Sequence, residues 1–296
     1  MRRAAGEAGH THDALNAPNR LPAAVAQFFP KPTRNRPVGL LHQIQSGRSA
    51  APPRMLIYGT EGVGKSTLAS QAPTPIFVQT EDGLGEIDCR KFPLSGSLAD
   101  VQHALEALRV EEHPFQSVVI DSLDWLERLI WDAICDDYGG AKSIEKVDGG
   151  YGKGYVYALA YWRQLLAQLA DLHRQRSMAV LLIAHAKVEK FDDPESSPYD
   201  RYSPRLHKHA AALVTEWCDA VLFATRKFRT QTEETGFGRK RTTAHAIGKD
   251  GGERILRTIG GPACVAKNRY GLDAELPLDC NALLAGITAS GAAANN

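Results

Sequence analysis

The chain has 296 residues, 43% of them hydrophobic, and a formal net charge of +1. That length and apolar share allow one large α/β domain with appendages, and the near-neutral charge excludes a surface that is basic all over, so any polyanion must be met by local patches. Five cysteines (Cys89, Cys135, Cys218, Cys264, Cys280) form no C-x-x-C pair and are odd in number, which argues against a zinc site and a disulfide framework. A reducing cytoplasm fits them. No apolar run approaches the ~18 residues of a membrane span, and no signal peptide is apparent, so a soluble cytoplasmic protein without membrane contact is expected.

Residues 1–37, rich in Ala, Pro, Asn and Arg without a sustained period, are expected to form a disordered leader. Phe28 and Phe29 within it suit either a dock on a neighbouring subunit or a fold-back contact. A domain is expected over 38–285, entered by a short helix over Val38–Ile44 and interrupted by Pro52 and Pro53 before its first strand.

The stretch MLIYGTEGVGKST, Met55–Thr67, organises the rest of the chain. Met55–Tyr58 reads as a buried parallel strand that breaks at Gly59 into a glycine-rich loop. Gly59, Thr60, Glu61, Gly62, Val63, Gly64, Lys65 and Ser66 match G-x-x-x-x-G-K-[ST] without a mismatch, between a strand pattern and a helix pattern, so this loop is expected to hold ATP. In that motif backbone N–H groups face the phosphates, Lys65 supplies a cation to the β and γ phosphates, Ser66 ligates Mg²⁺ and Thr67 lies by the α phosphate.

A second strand, Ile76–Gln79, ends in Thr80, Glu81, Asp82 and Gly83. Ligands of open parallel sheets gather at the carboxyl ends of strands, so Glu81 is a candidate general base on the γ phosphate, with a solvated acidic turn as the plain alternative. Ser97 is a plausible N-cap for a helix to Val110. Ser117–Asp121 is a buried strand whose terminal Asp121 is assigned to the Mg²⁺ shell. Asp124, in the following helix, is read as a partner of that helix's dipole.

From Tyr138 to Tyr155 the glycines exclude a core. With Lys142, Lys146, Tyr151 and Lys153 this loop suits single-stranded DNA, lysine for phosphates and tyrosine for stacking, or else is a flexible linker. After a helix over Val156–Arg174, a strand over Met178–Ala184 ends in His185, a candidate γ-phosphate sensor. Lys187–Pro204 is expected to be irregular and carries Lys190, Phe191, Tyr199, Arg201 and Tyr202, followed by Arg205, again a mixture suited to unpaired bases. Leu206–Cys218 reads as a helix and Asp219–Ala224 as a strand. Arg226–Ile259 reads as antiparallel ribbons with turns at Thr235–Gly238 and Lys249–Gly252, in the one clearly basic region. A defended solvated edge accounts for that charge equally well. The tail 286–296, small and polar, is expected to be disordered.

This order of motifs resembles the RecA-like P-loop ATPases, and most of all the short phage proteins of that superfamily that bind ATP and act in recombination or single-strand annealing. The resemblance spans Arg54–Leu278. It implies a RecA-like α/β core, a mainly parallel sheet flanked by helices with C-terminal antiparallel strands. It also implies Glu81 as activator of water, His185 in the place of the usual sensor glutamine, and the two irregular stretches as DNA-binding loops. CVAKNRYG resembles a recombinase segment whose two basic residues reach a neighbour's nucleotide, which implies that Lys267 and Arg269 act in trans. The expected function is a DNA-stimulated ATP hydrolase acting on single-stranded DNA in recombination, annealing or repair. Its expected cofactors are ATP and Mg²⁺, and it would form a homo-oligomer, filament or ring, with a single-strand DNA-binding protein as a further candidate partner. The alternatives are a nucleotide-dependent switch and a small-molecule P-loop kinase without DNA activity.

Overall fold

The computed structural model describes residue 44 and residues 51–235, 239–248 and 251–293. The leader, with Phe28 and Phe29, lies outside the described residues, as do most of the helix expected before Ile44 and parts of both ribbon turns.

The sheet is built around β1 (Arg54–Gly59), buried from Met55 onward. The chain continues through α1 (Lys65–Ser70), β2 (Pro75–Gln79), β3 (Arg90–Lys91), α2 (Leu98–Val110), β4 (Ser117–Asp121), α3 (Leu123–Asp137), α4 (Lys153–Gln175) and β5 (Ala179–Phe191). It ends with β6 (Tyr199–Pro204), α5 (Lys208–Trp217), β7 (Ala220–Arg226), β8 (Phe228–Thr235), β9 (Arg239–Ala246), β10 (Arg254–Arg257), β11 (Lys267–Asn268), β12 (Glu275–Pro277) and α6 (Cys280–Ala293). The strand order is β12-β10-β7-β1-β5-β4-β2-β3. From β7 to β3 the pairs are parallel, while β10, β11 and β12 add antiparallel to the β7 edge. This is the mainly parallel α/β sheet with C-terminal antiparallel strands that the motif order implies.

Parallel strands buried on both faces read as continuous apolar runs, and β1 and β4 do so because each face meets its own helical layer. Leu56 and Tyr58 point into a core with Leu105, Ile130, Trp162, Leu166 and Val214 of α2–α5, whereas Met55 and Ile57 join Leu68 of α1 and Leu283 and Ile287 of α6. Each such fully buried aliphatic side chain stabilises the fold by ~1.5–3 kcal/mol relative to exposure. Ser97 caps α2 as expected, in a reciprocal pair with Asp100.

Three expectations need correction. The Tyr138–Tyr155 stretch does contribute to the core: a short 3-10 segment, Ile144–Gly149, buries Ile144 and Val147 against α3 and α4. Gly154 permits this, since a Cβ there would stand 2.2 Å from the Ile144 carbonyl oxygen. Lys187–Pro204 is not irregular but a β-hairpin, with β5 running past the sheet and β6 returning in register, Ala186 opposite Pro204 and Phe191 opposite Tyr199. Asp192, Asp193, Pro194 and Pro198, which hid the alternation, lie in its turn. Within the expected disordered tail, residues 286–293 are instead part of α6, whose Leu283, Leu284 and Ile287 are buried in the second core. Among the described residues no helix is long and apolar enough to cross a membrane.

Candidate nucleotide site

The parallel register puts the carboxyl ends of β1, β5, β4 and β2 along one rim: Gly59 pairs with His185, Ile183 with Asp121, and Asp121 with Gln79. A cleft of about 410 Å³ opens there, lined by Glu61, Gly62, Gly64, Lys65, Ser66, Thr67, Glu81, Asp121, His185 and Arg254 among others. Gly62 and Gly64 take φ of 69° and 106°, backbone that L side chains rarely adopt, which explains why the loop needs glycine at these points. Lys65 is 6% exposed, and its Nζ donates to the carbonyl oxygens of Gly59 and Thr60 at 3.0 and 2.9 Å. Burial pulls the pKa of this ammonium down, opposed by Asp121, Glu61 and other nearby acids.

Burial pushes the Asp121 carboxyl up, and the Ser66 hydroxyl, its hydrogen-bond partner, opposes that shift. Glu81 faces the same space. Its Oε2 accepts from Ser122 Oγ at 2.7 Å and lies 3.8 Å from His185 Nδ1. The loop that carries Glu81 is tied to β4 by Thr80, whose N–H donates to Asp121 O and whose hydroxyl donates to Ser122 O. Asp121 and Ser122 are joined by a cis peptide bond.

Asp124 is not merely a dipole partner of α3, as its position suggests; it is 5% exposed and sits behind His185, which lines the cleft. Its carboxylate accepts from the His185 backbone N–H and ring Nδ1, each at 3.1 Å, and from Arg205 Nη2 at 2.7 Å. Burial alone would raise this carboxyl, but the hydrogen bonds from His185 and Arg205 hold it well below the usual carboxylate range. With Nδ1 turned to Asp124, Nε2 is the ring nitrogen left for a ligand. Arg205 also reaches Glu61 of the phosphate loop at 3.2 Å.

The donor set fits a nucleotide with Mg²⁺. Magnesium characteristically takes one or two carboxylates plus substrate phosphates rather than an all-protein cage, and Ser66 with Asp121 at the foot of the loop provides such a partial shell. Among the described residues no cluster of three or more acidic, histidine or cysteine side chains forms such a cage.

A family model described as an AAA domain matches residues 51–270. The chain belongs to that AAA domain family. It is also similar to a SPbeta prophage-derived uncharacterized protein of Bacillus subtilis, YorG, with 23% identity over 171 residues, 56% of this chain. The match spans about half, 49%, of that relative's length. Among solved structures, the RadB recombinase aligns over 78% of this chain and 90% of its own with 14% identity and a TM-score of 0.41, too loose a likeness to transfer any residue.

Within the AAA domain, Lys267 does not present the free cation expected of it. Its Nζ donates to the carbonyl oxygens of Thr215, Glu216 and Cys218 at 2.9, 2.9 and 2.7 Å, so its three donors satisfy the open end of α5. Arg269 pairs with Asp219, which Arg54 grips from the other side at 3.0 and 2.8 Å. Both cations lie at the amino end of β7 and β1, the edge opposite the phosphate loop: Lys267 pairs with Val221, and Asp219 N–H donates to Arg54 O. The role in trans is therefore withdrawn for Lys267, and Arg269 is partly committed to an ion pair.

The expected DNA residues divide. Lys142 and Lys146 are exposed on the segment before α4, Lys153 opens α4 and pairs with Asp148, and Tyr151 is fully exposed between Gly150 and Gly152. On the hairpin, Lys190 is exposed, Phe191 packs near Tyr199, and Arg201 lies over the Phe191 ring while pairing with Glu189. Tyr202 stacks on Phe223 against the core, and Arg205 is committed to Asp124 and Glu61.

Sequence reasoning missed Asp124, Arg205 as a site residue, Arg254 and Glu127. The signal for the first was present, a second acid one helical turn after Asp121. Glu127, one further turn on, is 4% exposed and accepts the His207 backbone N–H at 2.9 Å. Burial pushes its carboxyl up to about 7 from an ordinary 4.5. The fold thus prefers the protonated acid, and stability from this group is full below pH 4.5 and lost as the pH rises through 7, by up to ~3 kcal/mol. Glu127→Gln is expected to flatten that fall, so that thermal melts of variant and wild type diverge between pH 5 and 8 in the variant's favour. Parallel melting curves across that range would refute the assignment.

Proposed function

We propose that this AAA domain is an ATP-hydrolysing, oligomeric protein that acts on single-stranded DNA in recombination, annealing or repair. The observation that carries the ATPase part is the placement of Glu81, hydrogen-bonded to Ser122 and facing the same cleft as Lys65, Ser66 and Asp121. A switch that only binds nucleotide has no need of a carboxylate there.

In this reading the phosphate loop grips the triphosphate and Glu81 takes a proton from water as its oxygen attacks the γ phosphorus. The bond to the β–γ bridging oxygen then breaks and ADP and phosphate leave. Ser66 and Asp121 would hold Mg²⁺, which would supply positive charge against the phosphates. His185 Nε2 and the Arg205 guanidinium, both anchored by Asp124, take the place at the γ end that Lys267 cannot fill. The cation at the transferring group thus comes from the same protomer.

The DNA part rests on exposed Tyr151, Lys142, Lys146 and Lys190, a stacking ring and cations outside the nucleotide cleft. The test is the ATPase rate with and without single-stranded DNA across a salt series. Stimulation that fades as salt rises supports the reading. A rate indifferent to DNA at every salt concentration refutes the DNA part and leaves the ATPase, and no release of phosphate under any condition refutes the ATPase.

A further inference from the structure

The nucleotide cleft has two flanks. His185, Asp121 and Glu81 all come from β5, β4 and β2, which lie on one side of β1. Arg254, at the start of β10, comes from the other side, beyond β7, where it stands opposite Arg226. It is exposed and lines the cleft beside Gly64, Lys65, Ser66 and Thr67. Its Nη1 is only 2.9 Å from where a Cβ on Gly64 would stand, and Leu278 crowds the same point at 3.3 Å. None of the described residues forms an ion pair or side-chain hydrogen bond with this guanidinium, whereas Arg205 on the opposite flank is held by Asp124 and Glu61. A cation aimed at the rim of a phosphate loop and left without a carboxylate is poised for an anion that arrives with the ligand.

We infer that Arg254 is a nucleotide-binding residue supplied by the same protomer, which contacts the α and β phosphates common to ATP and ADP. The location decides which phosphates. Backbone N–H groups of a loop of this type cradle the α and β phosphates, and Arg254 sits over Gly64 in that cradle. The γ end is served from the other flank by His185 and Arg205. The two arginines therefore divide the work: one grips what ATP and ADP share, the other what only ATP has.

This inference rests on the nucleotide reading above, and the experiment separates the two. Dissociation constants for MgATP and MgADP are measured calorimetrically on the full chain for wild type, Arg254→Ala, Arg254→Lys and Arg205→Ala. Arg254→Ala is expected to weaken both nucleotides alike, by about tenfold, the scale of one charge-assisted contact. The loss should shrink at high salt, and lysine should restore part of it. Arg205→Ala should weaken ATP more than ADP. Because Arg254 is exposed, its alanine variant should melt with the wild type, which guards against a folding artefact. Unchanged affinity in Arg254→Ala, or a loss confined to ATP, overturns the inference while the nucleotide reading stands. Failure of the wild type to bind either nucleotide overturns both.

Discussion

Glu81→Gln is expected to bind ATP as tightly as the wild type and to hydrolyse it ~10²–10⁴-fold more slowly, the usual contribution of a positioned general base. The geometry explains both halves. Among the described residues the Glu81 side chain accepts one hydrogen bond, from Ser122, which a glutamine oxygen can accept equally well, and its other polar neighbour is His185 at 3.8 Å, so the loop backbone need not move. What disappears is the ability to take a proton from water. Single-turnover hydrolysis together with equilibrium binding checks the split between chemistry and affinity. Normal turnover in the variant would pass the role to another group and remove the main support for hydrolysis at this cleft.

Asp124→Ala is expected to have the largest effect on the fold itself. The carboxylate is 4% exposed and compensates a 12% exposed His185 and the Arg205 guanidinium together. Removing one partner of a fully buried ion pair typically costs ~3–5 kcal/mol, and the cost here is expected to be lower, ~1–3 kcal/mol, because the Arg205 side chain is 39% exposed and keeps Glu61 as a counter-ion. The folded-state pKa of Asp124 is depressed, so this stabilisation is present above the ordinary carboxylate value of 3.8 and is lost only as the pH falls below it towards the depressed one. It is therefore fully present at neutral pH. Chemical denaturation at pH 7 measures it, and a shift under ~1 kcal/mol, the scale of an exposed pair, would show the network to be dispensable. Asp124→Asn should recover only part of the loss, because its single amide oxygen can accept from either His185 or Arg205 while its NH2 meets donors on the other side.

How far the sequence revealed these features depended on whether a residue's role is local. The phosphate loop, the strand that ends in Asp121 and the capped helix after Ser97 were legible, because each is a short motif whose residues act on their immediate neighbours. The hairpin formed by β5 and β6 was not, because Asp192, Asp193, Pro194 and Pro198 at its turn outweighed the alternation on either side. The last helix was missed because Ala, Gly and Ser dominate it, and only Leu283, Leu284 and Ile287 report that it has something to cover. Lys267 was misread for a different reason: the pattern Lys-Asn-Arg carries an implied role, and nothing in it announces that three carbonyls at the end of a distant helix are waiting for an ammonium. Asp124 and Arg205 stand 81 residues apart, and a contact over that separation leaves no periodicity to find.

The strand β5 does not stop where the sheet does. His185 sits part-way along it, with the buried apolar half behind and the ribbon paired to β6 ahead, and Arg205 leaves β6 on the very next residue after its last pair, its N–H bonded back to His185 O. One continuous ladder therefore joins the ribbon's tip to both His185 and Arg205. Whatever touches the ribbon's tip is linked to the imidazole and the guanidinium through paired backbone alone.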